Sequence, residues 1–592
     1  MIDFRSPDEG VAPLRLAFGA PRESLRATSL DDVAPLLARV DALARAGAWC
    51  VGYLCYEAAG AFDEAFETHA PADPARPLAA FAVYDAPLPD AAAFESDAAA
   101  TVQWTGGPQR DAFDAVIAEI LRAIADGEVY QVNATAPLTG TLQGDALALF
   151  AALRRAQPNA YAAYLDLGTA NEPDDRILSV SPELFFDWRD DRLLARPMKG
   201  TAPRGATPRE DAAQAQFLRT AAKERAENLM IVDLLRNDLS RLARPHSVRV
   251  PRLFHTEAWP TVWQMSSDVA AATRPGTTLE QVFGALFPCG SITGAPKVQA
   301  MRLIRQLEPE PRGIYCGAIG VVQPGGAATF NVPIRTLALR CLEKDGVATT
   351  HVRCGIGSGI TADATAAGEW DEWRHKRAFV DRAGQAFELL ETLRLEEGVF
   401  VDVEAHLARM AEAAAHFAFA SPVDSAREAL DALRLVHPTG RRRVRLLASR
   451  AGVAHAQAFA LADTPTPVRV RVAERPLAGS TGEFVRFKTT QRAHYDAFAP
   501  AGDDVFDTLL WNERGELTEF TRGNVALRID GRWLTPALRC GLLPGIARAR
   551  LLREGAIEEA VLVRDDLARA DGLAFFNSLR GWLEATQGGV RS

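Results

Sequence analysis

Two pairs of glutamates have the spacing of a metal site. Glu224 and Glu227 stand three apart in KERAENLMIVDLLRNDL, and Glu369 and Glu372 stand three apart in GEWDEWRHK. Residues three apart share one face of a helix. Two such faces turned toward each other make a small, hard, all-oxygen site that suits magnesium, with water completing the shell. Either pair alone reads more simply as a solvated helix face, so the metal reading needs both. Nearer the other end, HLARM, FKTTQRAHYD, LTEFTRGNVAL, LTPALRCGLLPGIARARLL and FFNSLRGW carry a lysine, a glutamate and several arginines. Each segment is weak by itself, and HLARM reads first as an amphipathic helix with Leu407 inward and Arg409 outward.

The hydrophobic pattern supplies the elements that must position these groups. It predicts a helix over Asp111–Asp126 ended by Gly127, and a long helix from Arg209 to Leu242 carrying the first glutamate pair. Asp371 to Leu395 begins as a helix and runs on into FELLETLRLEEG. Strands are expected at RILSV, ELFFDW, YCGAIGVVQ and ATFNVPIRTLAL, with a glycine-rich strand and loop at HVRCGIGSGI. Trp49 to Phe62 reads as a buried strand entering a turn, and Pro71 to Asp97 as loop with room for one strand. A chain of 592 residues exceeds one core. No Gly/Ser or Pro-rich linker marks a junction, and the motifs place it near Ala383. The expected units are an N-terminal subdomain over 1–105, a catalytic domain over 106–384 and a second αβ unit over 385–592.

From Asp111 to Val380 the order GEVYQVN, SPELFF, RPMKGTAPR, KERAENLMIVDLLRND, GSITGAPK, YCGAIG, FNVPIRT, CGIGSGITAD and GEWDEW resembles the chorismate-utilising enzymes, among them anthranilate, aminodeoxychorismate, isochorismate and salicylate synthases. The resemblance implies an α+β fold of antiparallel sheets flanked by helices, and magnesium held by Glu227 and Glu372 with Glu224 and Glu369 beside them. It makes Glu183 the general acid for the departing C4 hydroxyl, a task helped when a closed site raises the pKa. Gln131 replaces the lysine base of the water-adding members, and an amide cannot take up a proton at neutral pH. Lys199 stands where anthranilate-type members carry alanine, and aminodeoxychorismate synthases share the lysine. Buried, it can lose its proton and attack the ring at C2, or stabilise developing charge. Arg335, Lys376 and the Gly355–Gly359 backbone, Gly355 and Gly357 among it, are expected to receive a substrate carboxylate. Thr201 and Thr293 complete the expected substrate contacts. Gln264 stands where relatives often carry histidine, which removes any ionisable imidazole from that place.

From about 387 to 582 the C-terminal motifs, in their order and spacing, resemble fold-type IV pyridoxal-phosphate enzymes, the group of branched-chain and D-amino acid aminotransferases and aminodeoxychorismate lyases. The resemblance implies that Lys488 binds the pyridoxal 5'-phosphate carbonyl and later moves protons. Glu519 would pair with the pyridine nitrogen and Arg409 with the phosphate. The turn Gly545 to Arg548 opens a predicted helix, so the N–H groups of Ile546 and Ala547 can bind phosphate. Asn577 and Ser578 would add hydrogen bonds, and Thr392 would face substrate. The usual opening D-R-x-x-x-G-D-G of free-standing relatives is missing.

Together the halves imply synthesis of 4-aminobenzoate, with ammonia and chorismate as substrates of the first and pyruvate released by the second. Two alternatives stay open for the back half: an aminotransferase for an unrelated amino acid, or a non-catalytic packing module. No G-x-C-x-G glutaminase turn occurs, so a separate glutamine amidotransferase subunit is expected to supply ammonia. A homodimer through the cofactor domain is also expected. The formal net charge of -10 without a basic run argues against nucleic acid. No stretch nears the ~18 apolar residues of a membrane span. Seven scattered cysteines and no export signal at the start suit the cytoplasm.

Overall fold

The structure is a computed structural model. It describes all residues except 72–75, 90–95, 97, 99, 168–174, 206–207, 260–261, 345, 384–386, 481, 501–503 and 589–592. The chain divides into two compact units, Met1–Ala386 and Phe387–Ser592. The expected junction at 384–385 lies outside the described residues.

Unit one is built on two antiparallel sheets. The first has nine strands, and its centre pairs Gln131–Gly144 with Val347–Ile360 along almost their whole length, then Val347–Ile360 with Thr336–Lys344. The second has ten strands, with Leu184–Arg189 between Arg192–Arg196 and Ala328–Asn331, and Met198–Pro203 at one end beside Val262–Ala272. The sheets face each other across a shared core that includes Phe4, Val51, Tyr161, Leu184 and Ile319. Helices cover the outer faces: Leu30–Arg45 and Ala222–Ser240 pack on one sheet, Arg110–Ala125, Ala146–Ala156 and Ala366–Ala383 on the other. The first 105 residues form no layer of their own. Ile2–Phe4, Leu14–Leu16 and Ala100–Gly106 join the nine-stranded sheet, while Glu23–Ala27, Trp49–Leu54 and Ala79–Tyr84 close an edge of the other.

Local differences from the pattern have physical reasons. The helix expected over Arg209–Leu242 is two helices, Pro208–Thr220 and Ala222–Ser240, broken where Ala221 turns extended. No glycine or proline marks that break, so the apolar period runs straight across it. The break puts Glu224 in the first turn of the second helix. The stretch from Asp371 is part of a helix that begins at Ala366 and ends at Ala383, and Leu389–Glu396 is a strand with alternating burial.

Unit two contains a four-stranded antiparallel sheet, ordered Val399–Phe400, Leu389–Glu396, Arg441–Ala448, Ala454–Ala460, with helices Val403–His416 and Val423–Val436 packed on it. An eight-stranded mixed sheet follows, centred on Val468–Val472, Gly581–Gln587, Gly572–Asn577 and Asn524–Ile529.

Candidate active sites

In unit one the strand Val347–Ile360 shows how sequence makes a cavity. Side chains alternate across a sheet. Val352, Cys354, Ile356 and Ile360 are buried on one face. Gly355, Gly357 and Gly359 fall on the other and leave it bare. All three line a cavity. A Cβ at Gly355 would lie 2.2 Å from the Tyr315 ring, and one at Gly357 would lie 2.3 Å from the Ala134 carbonyl oxygen. At Gly359 a Cβ would come within 2.6 Å of both Lys199 Nζ and Gln131 Nε2. The glycine face thus brings that lysine and that amide together.

Lys199 is half-buried, and desolvation pushes its pKa down, opposed in part by Glu227. Gln131 is 0% exposed. Among the described residues neither end of its amide has a partner, and such a buried group calls for a ligand. Glu183, 3% exposed at the start of its strand, is pushed up to about 7 by burial, although the Ser291 hydroxyl donates to it at 2.6 Å.

The two helices deliver their glutamates to the same cavity. Glu224 is pushed up to about 7, by burial first and then by Glu227, Glu372 and Glu369. Glu369 is raised likewise, by burial and then by Glu372, whereas Glu372 is lowered despite its burial, by Lys376 and Lys199. Thr361 donates to Glu227 at 3.2 Å, and Lys376 pairs with Glu372 at 2.6 Å. Among the described residues no three metal-binding side chains stand close enough to enclose an ion by themselves. Magnesium retains several waters and takes only one or two carboxylates plus substrate, so the donor set fits it.

Arg335 lines the cavity with a left-handed backbone (φ 51°). Its one protein acceptor among the described residues is the Gln157 amide oxygen, at 2.5 Å. Burial lowers its pKa to about 10 with no carboxylate to restore it. A desolvated guanidinium without an acid beside it suits an anionic ligand. Lys376 is less free than expected, because it also donates to the Gly357 carbonyl at 3.0 Å. Thr201 and Gln264 both line the cavity, bonded to each other. Thr293 does not line it: its hydroxyl is spent on the Cys289 and Gly290 carbonyls. Ser291, two residues earlier, faces the cavity instead, and sequence offered no means of choosing between the two hydroxyls.

In unit two a cavity of ≈ 770 Å³ is lined by Lys488, Arg409, Glu519, Ile546, Asn577, Ser578 and Thr392. The volume falls in the roughly 300–1,000 Å³ range of small-molecule sites. Burial lowers Lys488 to about 8, assisted by Arg492 and Arg409. Glu519 is pushed up to about 7 by burial, against hydrogen bonds from the Tyr495 hydroxyl at 2.6 Å and the Leu543 N–H at 3.0 Å. The helix Ile546–Arg553 starts at the cavity behind Gly545, whose Cβ would strike Asn524 Oδ1 at 1.9 Å. Its first N–H groups have no intrahelical acceptor. Ile546 lines the cavity, whereas the Ala547 residue is buried behind it.

Two assignments need refinement. Arg409 is not a free outward arginine: it forms a two-pronged pair with Glu391 at 2.8 and 2.7 Å and donates to the Pro544 carbonyl at 3.1 Å. His406 completes that buried group, 2.6 Å from Glu391, whose carboxyl is held far below the usual range by Arg409 and His406 despite burial. Asn577 spends one amide hydrogen on the Arg522 carbonyl and accepts from the Arg580 N–H, which braces its turn. Glu391, His406 and Tyr495 were missed from sequence. The i,i+3 pairing of His406 with Arg409 in HLARM was the available signal.

Each unit thus carries its own cavity, the first lined by paired glutamates and a lysine, the second by a lysine, a glutamate and several arginines. The chain belongs to the chorismate binding enzyme family, whose model matches residues 14–382; residues 388–587 match that of amino-transferase class IV. Aminodeoxychorismate synthase component 1 of Klebsiella aerogenes is 40% identical over 272 residues, covering 46% of this chain and 57% of its own. Anthranilate synthase component 1 of Streptomyces coelicolor is 36% identical over 276 residues, covering 47% and 52%. The chain thus spans about half the length of the curated relatives it matches. The solved anthranilate synthase component I of Streptococcus pneumoniae TIGR4 shares the fold, with a TM-score of 0.52, 22% identity and coverage of 64% of this chain and 94% of that one. Among the described residues no helix is long and apolar enough to cross a membrane.

Proposed function

We propose that this chain converts chorismate and ammonia to 4-amino-4-deoxychorismate in its first unit, and releases 4-aminobenzoate and pyruvate in its second. Relatives of both aminating types match at comparable identity, so the site must decide. The observation that carries the reading is Lys199, desolvated and converging with Gln131 on the bare strand at Gly359. Anthranilate-type chemistry does without that amine.

In the first unit Glu224, Glu227, Glu369 and Glu372 would hold magnesium, which would neutralise one substrate carboxylate. Arg335 takes the other. Glu183, neutral below about pH 7, hands its proton to the C4 hydroxyl, which leaves as water. Lys199 attacks C2 as the C4–O bond breaks. Ammonia then attacks C4, the lysine departs from C2, and the double bond returns. Gln131 offers its unpaired amide to the incoming ammonia or to substrate. The designation component 1 of the Klebsiella relative fits a separate glutaminase subunit as ammonia source.

In the second unit Lys488 would hold pyridoxal 5'-phosphate, whose ring supplies an electron sink when bound. Glu519 would pair with the ring nitrogen, and the start of the helix at Ile546, with Arg409 and Ser578, would hold the phosphate. Lys488 removes the C4 proton of the substrate, and proton return to the enolpyruvyl group accompanies loss of pyruvate. A cytoplasmic location and a homodimer through this unit belong to the same reading. The test supplies purified protein with chorismate, ammonium, magnesium and cofactor, and separates products by chromatography. 4-Aminobenzoate and pyruvate in equal amounts are expected. Anthranilate as product would overturn the first assignment, and α-amino acid turnover without chorismate the second.

A further inference from the structure

The unit-two cavity carries more positive charge than a cofactor phosphate uses. Besides Lys488, its wall includes Arg409, Arg443, Arg492, Arg522 and Arg580, against the carboxylates Asp496 and Glu519. Glu391 offsets Arg409 and Asp507 offsets Arg522. Among the described residues Arg443 and Arg580 form no ion pair: Arg443 lies over the Phe459 ring at 4.9 Å, and Arg580 donates to the Thr464 hydroxyl. Arg580 and Arg522 both stack near Phe506, at 5.8 and 5.2 Å from its centroid, and Phe506 is itself fixed edge-on against Phe575. Burial and then the like charges of Arg522 and Arg443 depress the Arg580 pKa, and of the three guanidiniums only Arg522 has a carboxylate partner among the described residues. Like charges on one wall of a cleft raise the local potential for an anion, and guanidiniums bind carboxylates through charge-assisted hydrogen bonds.

We propose that Arg443 and Arg580, with Arg522, form a second anion subsite in this cavity, which selects amine substrates bearing two carboxylates over those bearing one. The inference deepens the proposed lyase reading, since 4-amino-4-deoxychorismate has a ring carboxylate and an enolpyruvyl carboxylate. An aminotransferase for a simple apolar amino acid has no use for such a subsite.

The test titrates cofactor-loaded full-length protein with 4-aminoisophthalate, whose amine and carboxylates stand on the ring carbons that carry the amine, the carboxylate and the enolpyruvyl ether in the substrate, and with 4-aminobenzoate, which has one carboxylate. Binding is read from the absorbance of the lysine-bound cofactor. The native protein should prefer the dicarboxylate by ~10-fold or more, the loss expected for a charge-assisted pair. Arg443→Gln with Arg580→Gln should erase that preference, leave 4-aminobenzoate binding within about 2-fold, and keep the cofactor absorbance. Arg443→Gln alone, on an exposed strand position, supplies a folded partial variant in which the preference should fall. An unchanged preference in either the double or the single variant overturns the subsite. Pyruvate release from 4-amino-4-deoxychorismate is measured in parallel on the native protein. Its absence beside an intact dicarboxylate preference rejects the lyase reading and leaves the subsite standing; its presence without the preference does the reverse.

Discussion

Glu183 and Lys199 are driven toward their neutral forms by the same cause, removal from water, and each neutral form is the one its proposed role needs. The pH dependence follows. Glu183 is a raised acid, so its proton is present below about 7 and lost above. With free ammonia held constant, the amination rate should fall as pH rises through about 7; a rate that climbs across that interval would remove Glu183 from the acid role. Lys199→Ala should lower 4-amino-4-deoxychorismate formation by ~10³-fold or more if the amine is a covalent nucleophile, and rapid-quench assay of the isolated first step measures it. Trace anthranilate from that variant is compatible, native rates are not. At this scale the types of the site residues could be read directly, because a motif displays them. Their partners could not. Glu391 lies 18 positions before Arg409 on another element, and only the fold shows that the pair is one buried group.

At the scale of elements, periodicity of two explains the most. The run Gly355, Gly357, Gly359 could be seen as glycine-rich, and its alternation with Cys354, Ile356 and Ser358 decides that one sheet face is packed and the other open. A methyl group at Gly355 would overlap the ring of Tyr315, which is buried and lines the cavity. Gly355→Ala should therefore cost about 1–3 kcal/mol of stability, read as a lower denaturation midpoint, and should raise KM for chorismate as Tyr315 is pushed toward the cavity it lines. Unchanged stability together with unchanged KM would show that the strand moves instead. The strand patterns were legible because alternation needs no distant information. The break at Ala221 was not, since alanine favours a helix and tertiary context overrode it.

At the scale of the whole chain, the order of the two chemistries was readable because their motifs occur in two uninterrupted series. The weaving of the first 105 residues into both sheets was hidden, since strand pairing between Ile2–Phe4 and Tyr161–Asp166 spans more than 150 positions without a local mark. Each unit has its own buried cores and its own cavity. The glutamates lie entirely in the first, Lys488 entirely in the second. Agents specific to one chemistry should therefore spare the other. Excess chelator should stop amination of chorismate while pyruvate release from supplied 4-amino-4-deoxychorismate continues at its native rate, because a cluster of carboxylates without its ion repels the substrate it should hold. Lys488→Ala should give the mirror result: 4-amino-4-deoxychorismate accumulates, 4-aminobenzoate fails to appear, and borohydride no longer fixes cofactor to the protein. Both assays run on the full chain, with product and intermediate quantified together. If the chelator also abolished pyruvate release, or if Lys488→Ala still delivered 4-aminobenzoate at the native rate with no other lyase present, the assignment of one step to each unit would fall.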